Sequence, residues 1–415
     1  MELEEQGSAI QASFGGVGAT MFLTFVGFSA SQFHAYLFES RGIGKLQIGL
    51  LLMLGQGVAL LSPWFQVGGI RRFHGPRLPF LMMLSGSGAA LAMLPHLHGF
   101  RQLLLGFCLL SFCSAGVLPL NAACAFDAMR ARGHSAFFRI RSLGTAGFLA
   151  GCVFSVCFPR LSDLPLLYAG FGVAVLLAMA VAAWDYRIPV VSVAVRETSR
   201  RPTILHALGL LRAPRTLKLL AVLGVMNFAN AMATCVQGNY LVDRWHQSQR
   251  VISLAWVVST GCEIPLMLLC AWMLRRHGLR LVLAFGLGGT LVKLLGLALA
   301  GEVWQYCLAL TMHGCFFSGA LTGFSVYLDR HYRAQDRPTL QALAPVFYGG
   351  IPSALAGLAA GWLWHADSLR AVYLAAGGIA AAASLYAFWL FREFVLFPAR
   401  SPAQGAGSLT QGSPQ

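Results

Sequence analysis

The 415 residues are 57% apolar and only 11% charged, with a mean hydropathy of +0.66, whereas an ordinary soluble domain is roughly a quarter charged. This composition excludes a water-soluble globular protein, and at about 20 residues per bilayer crossing it accommodates twelve crossings with short loops. The net charge of +15 does not indicate nucleic acid, because the basic residues are scattered over loops and form no stacking platform.

The opening MELEEQGSAIQ is acidic and lacks the basic n-region and cleavage site of a secretory signal. Residues 1–13 therefore read as a tail, and the first apolar stretch is expected to remain as a membrane helix. Apolar runs broken by charged or Gly/Pro-rich loops predict spans at 14–37, 46–69, 78–95, 102–126, 142–159 and 164–184, an N-terminal half covering 14–184. Residues 185–216, carrying Arg187, Arg196, Arg200, Arg201, Arg212 and Arg215, form the one long polar segment inside the chain and read as a linker. Six more spans follow at 217–240, 251–273, 281–300, 303–327, 339–363 and 369–391, a C-terminal half covering 217–392. The tail at 393–415 is rich in Gly, Ser, Pro and Gln and predicts disorder. The expected fold class is an all-α membrane protein with 12 transmembrane helices in two six-helix, pseudo-symmetric halves.

Lysine and arginine set the orientation. Alternate loops, the linker and the C-terminal tail hold 22 of the 30, the opposite loops hold 7, and Lys293 lies within a span. Both termini and the linker are thus expected on the cytoplasmic side of a multi-pass protein of the cell (inner) membrane. The halves also echo each other: RRFHGPR (Arg71 to Arg77) follows the second span and RRHGLR (Arg275 to Arg280) the eighth, while Phe126–Asp127 and Leu328–Asp329 close the fourth and tenth. Duplication of a six-helix unit accounts for both matches, and such repeats place a binding site near the midplane between halves. The ten cysteines fall almost wholly in apolar stretches without CxxC or metal-ligand spacing, and read as packing residues.

An ionisable group inside a span costs about 2.5–3.5 kcal/mol on insertion scales, so the few present are informative. Glu263 lies in the eighth span, Lys293 in the ninth and His313 in the tenth, at similar depth. Two readings are open: a proton-coupled site in which a proton and Lys293 compete for Glu263, or a static ion pair with His313 hydrogen-bonded in the core. His34 in the first span reads as a cavity or mouth residue. On the fifth span, RIRSLGTAGFLAG, a turn of about 100° per residue puts Arg141, Thr145 and Phe148 in one narrow sector and Gly144, Gly147 and Gly151 in the adjoining one, where another helix can approach closely. Arg141, near the helix start, can equally be a topology charge that snorkels to the cytoplasm. In the seventh span Asn227 and Asn230 face the same way, and Gln237 and Asn239 lie near its outer end. Thr260 lies one turn from Glu263, and Phe317 one turn from His313. Amides, a hydroxyl, a carboxylate, an Arg and aromatic rings together suit a flat, polar solute such as a nucleoside or sugar.

These motifs resemble the major facilitator superfamily over nearly the whole membrane part, and within it the nucleoside:proton symporters, with the lactose permease and phenylpropionate permease groups as relatives. The resemblance rests on IRSLGTAGF, on the glutamate of GCEIPLMLLCAWMLRRHGLR, on the basic residue of the ninth span, and on HGCFFSGALTGFSVYLD followed by RPTLQAL. It implies alternating access and import driven by the proton gradient, with no other cofactor. By similarity the substrate site takes Arg141, Thr145 and Phe148 from the first half and Asn227, Asn230, Thr260, Glu263, His313 and Phe317 from the second. Glu263, Lys293 and His313 are the implied proton-coupling residues. The chain departs from its relatives at Ala123, where they carry an acid in the fourth span, in GGIRRFHGPR, which lacks the usual Asp, and at Ser318, where nucleoside symporters can carry Asp.

The expected partners are a small-molecule substrate, protons and the lipid bilayer, with no nucleic acid, and the expected state is a monomer. The alternatives are a sugar or aromatic-acid symporter, an efflux or facilitative carrier, and a non-transporting membrane sensor. No GxSxG, HExxH, P-loop or paired catalytic carboxylates occur, so an enzyme is not expected.

Overall fold

The structure, a computed structural model, describes residues 13–62, 65, 77–129, 134–158, 160–185, 204–246, 248–333, 336, 340 and 343–394. The Arg71 to Pro76 part of the first basic repeat lies outside the described residues, as do the N-terminal tail up to residue 12, most of the linker and the C-terminal tail from 395. The side chains of Ala123, Cys124, Phe126, Asp127 and Arg141 likewise lie outside them.

Among the described residues the chain is helical, without strands. The first span is broken: α1 (Phe14–Phe28) passes through a 3-10 turn at Ser29–Phe33 into α2 (His34–Ser40). Ser13 caps α1, its Oγ accepting from the Gly16 amide at 2.9 Å. Then follow α3 (Lys45–Ala59), α4 (Arg77–Met93), α5 (Gly99–Met129), α6 (His134–Val156) and α7 (Leu164–Asp185). The Ser13 amide donates to Asp185 Oδ2 at 2.9 Å. The start of the first span and the end of the sixth therefore share one face, termed proximal, and Glu39 and Lys45 lie on the opposite, distal face.

The linker ends in a short helix, α8 (Ile204–Leu211). Its eight residues extend about 12 Å, too little to cross a bilayer, and its last residue, Leu211, is buried. Tyr332 Oη donates to the Leu210 carbonyl at 3.0 Å and lies 2.6 Å from Thr216 Oγ1, tying α8 to the end of the tenth span.

The second half runs through α9 (Pro214–Cys235), α10 (Gln237–Trp245), α11 (Gln249–Arg276) and α12 (Leu279–Leu299). Gly278, at φ +85°, makes the turn between the last two, a conformation that costs a residue without Cβ nothing. The tenth span is α13 (Val303–Leu310), a π-helical segment at Phe316–Leu321 and α14 (Thr322–His331). A second π segment, Val346–Gly350, leads into α15 (Ile351–Ala366), and α16 (Leu369–Phe394) closes the bundle. Among the described residues eight helical stretches are each long and apolar enough to cross a membrane. The first and tenth spans reach their length only by joining shorter helices across irregular turns.

The predicted glycine sector of the fifth span meets the first. A Cβ on Gly147 would lie 2.1 Å from the Phe22 carbonyl oxygen, and one on Gly151 would lie 2.2 Å from Ser29 Oγ. Side chains there would push the helices apart, so the glycines set the packing distance. The nine described cysteines are free thiols.

Two seams join the halves. Along α3 and α15 the backbones touch at glycine: a Cβ on Gly49 would lie 2.9 Å from Gly361 Cα. Along α6 and α11 side chains meet, with Ser155 Oγ 2.9 Å from Ser253 Oγ and Gln249 Nε2 donating to the Phe158 carbonyl at 3.1 Å. At the distal end Asn239 Nδ2 donates to Glu39 Oε2 at 2.5 Å.

Candidate functional site

The polar residues of the second half converge where α9, α11, α12 and the tenth span meet. Gly286, Gly289 and Lys293 share a face of α12. The two glycines let the tenth span approach closely, a Cβ on Gly289 falling 2.4 Å from Cys315 Sγ. This approach delivers Lys293, only 1% exposed, to His313, 6% exposed. Lys293 Nζ lies 2.8 Å from His313 Nδ1 and 2.8 Å from Asn230 Oδ1 on α9.

The chemistry of this contact follows from the donor inventory. A charged lysine has donors only, so His313 Nδ1 must accept and the ring proton sits on Nε2. A proton arriving at Nδ1 removes that acceptor and breaks the Lys293 bond. A proton and a charged lysine thus exclude one another at one nitrogen.

Glu263 is partly buried beside this pair. A Cβ on Gly314 would lie 2.8 Å from Glu263 Cα, so the carboxylate's helix is packed directly on the residue after His313. The two hydrogen bonds described for Lys293 go to His313 and Asn230; Glu263 reaches the cluster by backbone contact through Gly314.

An aromatic row runs outward from His313. Its ring lies 5.4 Å from Phe317 and 5.4 Å from Trp256, and Trp256 lies 5.7 Å from Phe148 on α6, in the other half. Phe148 therefore faces across the seam while the glycines of the same helix face α1. Thr145 and Thr260 are buried, at 3% exposure each.

Other sequence-selected residues point elsewhere. Asn227 donates to Ser353 Oγ at 3.0 Å and to the Gly349 carbonyl at 3.3 Å, bracing the π segment before α15. His34 pairs with Tyr168 Oη at 2.9 Å and packs on Phe107 within the first half. Helix α6 includes position 141, but the Arg141 side chain is not among those described.

Trp256 was not singled out by sequence reasoning. The available signal was its spacing: Trp256, Thr260 and Glu263 stand at i, i+4 and i+7, on one face of α11. Tryptophan in an apolar span is too ordinary for that spacing to stand out. Among the described residues no group of three or more His, Cys, Asp or Glu gathers as a metal site.

Fold and site together define a polytopic helical transporter of the major facilitator class, with polar groups buried in its second half beside an aromatic contact that crosses to the first. The chain belongs to the MFS_1 like family, whose model matches residues 17–375. Among solved structures it is similar to nucleoside transporter NupG, at TM-score 0.75 and 16% identity over 91% of this chain and 99% of that one. A point mutant of NupG superposes at TM-score 0.79 with 15% identity, again over 91% of this chain and 99% of that one. A bacterial homologue of the human lysosomal transporter Spinster, inward-facing and occupied, matches at TM-score 0.65 and 13% identity over 93% and 98% of the two chains. At these identities the likeness is one of fold. No curated protein matches the sequence.

Proposed function

We propose that this secondary transporter imports a small polar solute, a nucleoside by preference, together with protons. The observation that carries the reading is the Asn230–Lys293–His313 chain, with its 2.8 Å contacts, opening onto an aromatic row that crosses from one half to the other. Such a place offers a ring to stack on, amides and hydroxyls to read polar edges, and a nitrogen at which a proton changes the contacts. The reading draws support from the fold shared with nucleoside transporter NupG.

In this scheme Arg141, Thr145 and Phe148 hold the solute from the first half, and Asn227, Asn230, Thr260, Glu263, His313 and Phe317 from the second. Glu263, Lys293 and His313 carry the proton. Asn227 acts through the π segment it braces. The lysine and arginine asymmetry puts both termini and the proximal face in the cytoplasm of a cell (inner) membrane, and the chain works as a monomer.

Uptake of radiolabelled uridine into proteoliposomes under an imposed pH gradient tests the proposal. An inward proton gradient is expected to accelerate uptake, and Glu263→Gln to abolish accumulation while leaving weak exchange. Uptake indifferent to the gradient would point to a facilitative carrier. Absence of flux with nucleosides, sugars and aromatic acids alike would point to a sensor.

A further inference from the structure

The contact between Glu39 and Asn239 is a site of its own, remote from the central cluster and built from both halves. Glu39 lies near the end of α2, beyond the first predicted span, and Asn239 lies in α10. Asn239 is fully buried, and its Nδ2 donates to Glu39 Oε2 at 2.5 Å. Its carbonyl oxygen Oδ1 is buried without any hydrogen-bond partner. A buried amide oxygen left unpaired is costly, about 1–3 kcal/mol, and the Glu39 carboxyl already bonded to the same amide is a group that can satisfy it. A carboxylate cannot do so, having only acceptors; a carboxylic acid can, since its O–H donates.

We propose that Glu39 and Asn239 form a proton-binding latch: with its proton on, Glu39 accepts from Asn239 Nδ2 and donates to Asn239 Oδ1, and this two-way pair holds the halves together at the distal face. Loss of the proton leaves one bond and a half-buried negative charge, and the face opens more readily. No chemistry beyond transfer of one proton from water to the carboxylate is needed.

The surroundings favour the protonated form. Partial burial and the neighbouring Asp243 disfavour a charge on Glu39, while the Asn239 amide and Lys45 favour it. Among the described residues, Tyr36 on the same helix and His246 beyond α10 are the further titratable groups acting with Glu39 or Asp243. The nearby arginines are engaged elsewhere, Arg41 with the Pro95 carbonyl and Arg244 with Tyr240 Oη and the Ala300 carbonyl. The sign follows from linkage. A carboxyl whose pKa is raised in the closed state, relative to an open state where water reaches it, binds its proton more tightly when closed. Closure is therefore favoured as pH falls, and that contribution is lost as pH rises through the closed-state pKa.

The latch rests on alternating access but not on nucleosides as cargo, and its test needs no solute. Spin labels introduced by non-cysteine chemistry at the exposed Ser40 and Ser248, one on each half of the distal face, give a distance distribution for the full-length chain in detergent. The short-distance population relative to the long one is expected to rise at least threefold between pH 8 and pH 5. Glu39→Gln, whose neutral amide both donates and accepts, should stay short at both pH values, and Glu39→Ala long at both. A wild-type distribution that ignores pH, or a Glu39→Gln variant that keeps the full response, would overturn the latch. A response kept in Glu39→Gln but lost in Glu263→Gln would assign the proton to the central site, sinking the latch while leaving the transport proposal standing.

Discussion

The two seams between the halves are built from opposite materials. The α3–α15 seam is backbone against backbone, with Gly49, Gly357 and Gly361 so close that added Cβ atoms would meet main-chain atoms at 2.6–3.2 Å. The α6–α11 seam is side chain against side chain, through Ser155 with Ser253, Phe148 with Trp256 and Gln249 with the Phe158 carbonyl. Main-chain atoms of a helix cannot turn aside, whereas serine hydroxyls and aromatic rings can rotate and find new partners. The contrast teaches a difference in compliance: the glycine seam can change only by moving whole helices, whereas the side-chain seam can also change by rotation of its side chains.

The largest effect that bears on this contrast is expected at Gly361. A Cβ there would stand 2.6 Å from Gly49 Cα, so Gly361→Val should cost about 3 kcal/mol, the upper range for overpacking. Thermal unfolding in detergent measures it, and an unchanged midpoint would show that this seam yields as easily as the other. Next comes Phe148→Ala, which removes the first half's ring from the aromatic row. If a solute ring stacks there, uridine affinity should fall by about 2 kcal/mol, roughly 30-fold. An unchanged affinity would take Phe148 out of the substrate site. The smallest effect is expected at Ser253→Ala, which removes one neutral hydrogen bond to Ser155 and should cost the closed state about 1 kcal/mol. The Ser40–Ser248 label distance should then shift towards the open population, and no shift would mean that the α6–α11 seam does not resist opening.

How much of this was legible beforehand differs from element to element. The glycine and aromatic sectors of the fifth span could be read directly, because a single helix fixes the angular relation of Gly144, Gly147 and Gly151 to Thr145 and Phe148. The partners of those sectors could not. Nothing in IRSLGTAGF states that the glycines meet α1 while Phe148 meets Trp256. Lys293 and His313 were visible as misfits in apolar runs, but a pairing with Glu263 was as reasonable from sequence as the observed contacts with His313 and Asn230. The breaks in the first and tenth spans were also hidden, since hydropathy is blind to whether a helix continues, tightens to a 3-10 turn or widens to a π turn.

By itself the sequence determined that the chain lives in a bilayer, roughly where it crosses, and which buried groups are too polar to be there by default. Those properties are sums over local composition, and composition needs no partner. The tertiary structure alone decided which misfits touch, that a glutamate and an asparagine 200 positions apart meet at the distal face, and that one seam is backbone and the other side chain. Those facts depend on the distance between helices, which is set by the small residues of two helix surfaces at once and is written in neither helix's sequence separately.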